Sequence, residues 1–117
     1  MDAAALIAKM EAQRASWVDL PDGRKVRIVR PPELELVQLA DGIRVDHAAK
    51  YATGWKGFTE ATLFGAAQGS GEEELPFDRG VWSAYIADHL DEAKTVIEAL
   101  SERVVGYLKQ RADTAKN

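Results

Sequence analysis

Trp17-Val18-Asp19-Leu20-Pro21-Asp22-Gly23-Arg24-Lys25-Val26-Arg27-Ile28-Val29-Arg30 decides the fold class, because it changes the period of the chain. Two β-prone runs flank Pro-Asp-Gly. Pro presets its own φ and Gly tolerates positive φ, so the segment predicts a β-hairpin at about residues 16–30. Val26 and Ile28 share one face of the second strand, and Lys25, Arg27 and Val29 take the other. A lone hairpin is marginal in water. It must therefore lie on helices or pair with another chain.

Pro31-Pro32 ends that period, and everything outward from it reads as helix. Upstream, residues 2–15 form a helix that Asp2 can cap, with a thin stripe of Leu6, Ile7 and Met10. So short a helix needs a partner surface. Downstream, Pro32 suits a first turn, Glu33 and Glu35 complement the dipole, and Leu34, Leu36, Val37 and Leu39 follow until Asp41-Gly42. Asp46 caps a helix through Thr53, closed by Gly54. Thr59 caps a short helix that ends at Gly65. Trp55 sits on a turn between Gly54 and Gly57, with Phe58 next to it, as a large ring anchoring a junction.

Gln68-Gly69-Ser70-Gly71-Glu72-Glu73-Glu74 reads as a solvated loop. Asp78 then caps a helix in which Val81, Trp82, Tyr85 and Ile86 make one face. Residues 91–114 form the longest element, capped by Asp91, with Ala93, Val96, Ile97, Leu100, Val104, Tyr107 and Leu108 at helical spacing. The fold class is mainly α (α+β): an N-terminal hairpin, then a small helical bundle over about residues 31–114 with a long C-terminal helix. A chain of 117 residues is one domain.

The formal net charge is −4, which opposes a nucleic-acid groove as the main surface. With no cysteine, disulfides and thiolate metal sites are excluded. The start of the chain, interrupted early by Lys9, lacks the basic and apolar regions of a signal peptide. No segment has the length of a membrane span. His47 and His89 are too few for a zinc site, even with Asp88 and Asp91 beside His89. Ser83 and Ser101 lack a nucleophile elbow, and Gly69-Ser70-Gly71 lacks the ending of a phosphate loop. Glu72, Glu73 and Glu74 read as solvated charges rather than positioned acids. We expect neither a cofactor, nor a metal, nor an enzyme. Arg24, Lys25, Arg27 and Arg30 make the hairpin basic, which reads as an edge strand protected by charge. Trp17, Trp55, Trp82 and Tyr85 read as core aromatics, and any of them left exposed would mark an interface.

In order along the chain come a Leu20-Pro21-Asp22-Gly23-Arg24-Lys25 turn, a short helical region, and Trp55-Lys56-Gly57 followed by Glu60. Then come Pro76-Phe77-Asp78, a Trp-bearing helix and a long C-terminal helix ending at Lys116-Asn117. From about Ser16 onward this resembles the small tail assembly chaperones of long-tailed bacteriophages and prophages. It departs from the fuller pattern at Thr62, where a carboxylate would follow the Trp-Lys-Gly turn, and in its long Gly/Glu loop. The resemblance implies a non-enzymatic, largely helical protein of the host cytoplasm. It would hold the tape measure protein soluble and engage tail tube subunits during virion morphogenesis, without being retained in the virion. Two other classes fit the residues: a structural virion component, such as a head–tail joining or tail completion protein that self-associates, and a small regulatory nucleic-acid-binding protein. For a binding protein the candidate contacts are the apolar residues Leu6, Met10, Leu34, Val37, Trp55, Phe58, Val96 and Leu100, on faces that so small a domain is hard pressed to bury. If Trp55 is an anchor of the core, Trp55→Ala costs ~3–5 kcal/mol. An unchanged melting midpoint would place it on an interface instead.

Overall fold

The structure, a computed structural model, describes residues 2–39, 41–65 and 71–115. Residues 68–70 of the expected loop and the terminal Lys116-Asn117 lie outside them. The chain runs α1 (Ala3–Gln13), β1 (Ala15–Asp19), β2 (Lys25–Val29), α2 (Glu33–Leu36) with a 3-10 turn at Val37–Leu39, and α3 (Val45–Lys50). It continues through β3 (Ala52–Lys56), α4 (Glu60–Phe64), α5 (Arg79–Ala87) and α6 (Leu90–Ala115). The fold is mainly α with an antiparallel sheet in the N-terminal half, as expected, but the sheet has three strands in the order β1-β2-β3.

The hairpin closes as its sequence dictates. Asp22 and Gly23 both take positive φ, 62° and 74°, the geometry that matches the twist of the flanking strands. Pro21 accepts the closing bond from the Arg24 N–H. Val18 faces Val26 in register, and Val26 and Ile28 are fully buried on the inner face. On the outer side Lys25 is exposed, but Val29 is buried.

The third strand corrects the expectation of a helix through Thr53 and of Trp55 on a turn. α3 stops at Lys50, its N-cap position is Arg44, and Asp46 lies inside the first turn. From Ala52 the chain pairs with β2: Val26 with Trp55, Arg27 with Gly54 and Ile28 with Ala52. That register leaves Thr53 unopposed, a β-bulge. The bulge explains how Ala52 and Trp55, three residues apart, are both buried. A regular strand would send them to opposite faces. It also makes β2 the central strand, so the reading of the basic hairpin as a charged edge is wrong. β2 needs no edge protection, and the basic residues on it and at its ends are held by partners within the chain. Arg24 pairs with Glu92 at 2.6 Å, Lys25 with Asp19 at 3.2 Å and Arg27 with Glu11 at 3.6 Å. The Arg30 guanidinium lies 3.6 Å over the Tyr107 ring.

The helix caps follow the sequence more closely. Asp2 accepts from the Ala5 N–H at 2.8 Å and Asp78 from the Val81 N–H at 2.9 Å. Thr59 and Thr62 cap α4 reciprocally, each hydroxyl accepting from the other's backbone N–H. Asp91 is not a cap: α6 begins at Leu90, and the His89 carbonyl accepts its first bonds, from the Glu92 and Ala93 N–H groups. Asp91 and Glu92 lie in the first turn, where carboxylates suit the dipole. The helix runs on to Ala115.

The inner face of the sheet packs on α3, α5 and the first half of α6. Phe58 is the hub. It stacks on Trp55 at 4.4 Å and meets Trp82 and Tyr85 edge-on at 6.0 and 5.6 Å. Such pairs add about 0.5–1.5 kcal/mol each beyond the area they bury. The indoles are satisfied: Trp55 donates to the Leu75 carbonyl at 2.7 Å and Trp82 to the Ala48 carbonyl at 3.0 Å. Beside them lies a buried ionic group. Arg24 is 8% exposed and Glu92 7%. One Glu92 oxygen accepts from Arg24, and the other from the Tyr85 hydroxyl at 2.7 Å. Burial, reinforced by Glu92, pushes the Tyr85 hydroxyl up to about 12. Gly57, at φ 82°, is required here, since a Cβ would lie 3.2 Å from the Arg24 Cγ.

Removing one partner strands the other charge. Glu92→Ala is therefore expected to cost ~3–5 kcal/mol, whereas the Arg24→Met/Glu92→Leu double variant recovers most of that loss. Denaturant melts of the single and double variants measure the difference.

Candidate protein-binding surface

α1 is anchored at its ends but exposed along its length. Asp2 caps it, the Glu11–Arg27 ion pair ties its last turn to the sheet, and Arg30 N–H donates to the Arg14 carbonyl at 2.9 Å. None of its residues is buried. Eleven residues span about 16 Å and are marginal as an isolated helix. The Leu6, Ile7 and Met10 stripe is thus an apolar surface held in place from one end.

The eight candidate contacts divide cleanly. Leu6, Met10, Leu34 and Val37 are 49%, 55%, 80% and 80% exposed. Trp55, Phe58, Val96 and Leu100 belong to the core cluster and are lost as surface contacts. The physical reason is the sheet: its inner face supplies the partner for α5 and the first half of α6, so those helix faces are not spare. Leu34 and Val37 project from the short α2 and the turn after it. Nearby, Leu36, Leu39 and Ile43 face Val104, Val105 and Leu108 of α6 across a groove of about 270 Å³. A second groove of about 290 Å³, lined by Leu63, Phe64, Val81 and Ala84, runs between α4 and α5. Phe64, Leu90 and Val105 were not marked by the sequence as surface, and their spacing carries no sign of it. Val81, expected on the buried face of α5, is exposed.

Of the four singled-out aromatics, Trp55, Trp82 and Tyr85 are core, but Trp17 is not: it is exposed, at 38%, on the outer face of the sheet, which the core helices leave uncovered. The Lys56 ammonium sits 4.4 Å over its ring. Gly54, opposite Arg27, leaves the space into which the Trp17 ring edge reaches.

The polar residues that could carry chemistry have structural partners. His47 Nδ1 accepts from the Arg44 N–H at 2.9 Å and so caps α3. His89 Nδ1 lies 2.7 Å from the Tyr85 carbonyl, its ring stacked on Tyr85 at 3.9 Å. Ser101 donates to the Ile97 carbonyl. Glu74 accepts from the Gly57 N–H. The Tyr51 hydroxyl and the Lys50 ammonium hold the Glu35 carboxyl below its ordinary value, at 2.7 and 2.9 Å. Among the described residues no group of three His, Asp or Glu could hold a metal ion, and no helix is long and apolar enough to cross a membrane.

The arrangement offers exposed apolar helix faces on a braced sheet–helix scaffold. Comparison with protein-family models, curated proteins and solved structures gives no match for this chain.

Surface and core should separate in a melt. Leu6→Gln/Met10→Gln is expected to leave stability within about 0.5 kcal/mol of the parent. Leu100→Ala is expected to cost ~2–5 kcal/mol. Equal losses would mean that α1 is packed.

Proposed function

We propose that the protein is a non-enzymatic tail assembly chaperone that binds the tape measure protein, the tail tube protein or both in the host cytoplasm. The observation that carries this reading is α1: a capped, end-anchored helix with no buried residue, whose apolar stripe of Leu6, Ile7 and Met10 is 49–60% exposed. A client helix laid along Leu6, Ile7 and Met10 would bury apolar area on both partners and stabilise α1 in the same step. The resemblance in the order of the Leu20–Lys25 turn, Trp55-Lys56-Gly57, Pro76-Phe77 and the Trp82 helix supports the same class. The net charge of −4 keeps a complex with an apolar client soluble.

Co-expression with the tape measure and tube proteins of the same phage or prophage tests the reading. We expect at least one client to become more soluble and to co-purify, and Leu6→Gln/Met10→Gln to abolish both effects. Clients equally soluble with and without the protein, and absent from its complexes, would overturn the proposal. A closed ring of this chain alone in solution would favour a head–tail joining component instead.

A further inference from the structure

Three arginines far apart in sequence converge on one open cleft of about 530 Å³. Arg14 stands at the end of α1, Arg30 just past β2, and Arg103 on α6. Each guanidinium is oriented by a neutral acceptor. Arg14 Nε donates to the Arg30 carbonyl at 3.2 Å, Arg30 Nη1 to the Pro31 carbonyl at 2.7 Å, and Arg103 Nε to the Ser16 hydroxyl at 3.1 Å. Arg30 is further fixed on the Tyr107 ring. A guanidinium has five N–H donors, so these bonds leave most of each fork unused while removing much of its rotational freedom.

The charges are poorly answered from within. Among the described residues, Arg14 and Arg30 have no carboxylate at ion-pair distance. Arg103 has Glu102 at 3.5 Å, and that carboxylate is itself exposed. Glu33, the next acid along, takes the Tyr107 hydroxyl at 2.6 Å and Arg111 at 3.1 Å. Elsewhere Arg24, Arg27, Arg44 and Arg111 each face a carboxylate, while Arg79 donates to the Ala52 carbonyl. Burial first, and then the Arg14 charge, hold the Arg30 guanidinium below its ordinary value, against the partial support of Tyr107 and Glu33. An anion placed among the three would relieve that repulsion. In a chain of net charge −4 this is local organisation, not general basicity.

We propose that this cleft binds an acidic peptide segment of a partner protein, its carboxylates held by the Arg14, Arg30 and Arg103 forks. Planar carboxylates match guanidinium forks bidentately. Gln13, Gln110 and Ser16 share the cleft walls. Their amides and hydroxyl can both give and accept bonds, as a peptide backbone does and a phosphodiester backbone, which has no N–H, does not. The acidic remainder of the surface opposes a long polyanion. The site is separate from the α1 stripe and does not depend on the chaperone reading.

The test is fluorescence anisotropy of the full chain with a labelled oligoglutamate peptide, against an oligoglutamine control of the same length. Salt-sensitive binding of the glutamate peptide alone is expected. Arg14→Gln and Arg103→Gln should each weaken it about tenfold, equal to about 1.4 kcal/mol, with the melting midpoint unchanged. Arg14→Lys should retain more affinity than Arg14→Gln. If one glutamine variant melts early, the other decides. No binding by the parent chain, parent-like binding by both glutamine variants, or tighter binding of inorganic phosphate or single-stranded DNA than of the peptide would overturn the proposal.

Discussion

The ion pair between Arg24 and Glu92 is the constraint on which the rest of the architecture turns. It joins the tip of the hairpin to the first turn of α6, two points 68 residues apart. A charge at that depth is tolerable only when its partner is in place and its remaining hydrogen-bonding capacity is met. Tyr85 fills the second carboxylate oxygen, the Phe58 ring lies 5.1 Å from the guanidinium, and Gly57 gives the space. A shift of α6 by one residue would carry Glu92 away from Arg24 by about 100° of helix rotation. Apolar packing alone tolerates such slippage better than a buried charge does. The pair therefore selects one docking of helix on sheet.

That docking also decides which apolar residues remain outside. The sheet consumes the faces of α5 and of the first half of α6, from Glu92 to Leu100. α1, the Leu34–Val37 segment and the outer half of α6 receive no share of it. The distal half of α6 is instead tied to the start of α2 and the chain just before it by polar contacts, through Tyr107 and Arg111 to Glu33 and through Arg30 over Tyr107. The same ties help to gather the arginine cleft. The surfaces proposed for binding and the scaffold are thus separate regions of the molecule, the first apolar or cationic at its periphery, the second aromatic and buried.

Much of the local structure was legible in the residues. Asp-Gly between β-prone runs gave the hairpin, and Asp2, Thr59 and Asp78 named their own helix starts, because capping is a contact over three residues. The apolar period of residues 91–108 gave α6. β3 was hidden by its bulge. With Ala52 and Trp55 both inward, the alternation that marks a strand is absent, and Gly54 reads as a helix stop. Missing β3 put β2 at an edge and turned its basic residues into surface charges. Helical spacing marks an apolar stripe but carries no information about what covers it, so Val96 and Leu100 looked the same as Leu6 and Met10. The arginine cleft had no local signature at all, since its members meet only after sheet and helix have closed on each other.

The placement of the core residues along the chain has a consequence for synthesis. The hairpin leaves the ribosome before the helices that pack on it, with Val26 and Ile28 on a face that those later residues cover. Its cover arrives with Trp82, Ile86, Val96 and Leu100. Domains are made from the N-terminus forward at about 5–20 residues per second, so the nascent chain carries an open β-prone segment for some seconds. The Lys25 and Arg27 charges interleaved with those valine and isoleucine side chains then act as gatekeepers against association between neighbouring nascent chains. In the folded protein the same two residues face Asp19 and Glu11, acids made before them. One pair of side chains thus interrupts the apolar run of the unfinished chain and ties strand to strand and helix to sheet in the folded one.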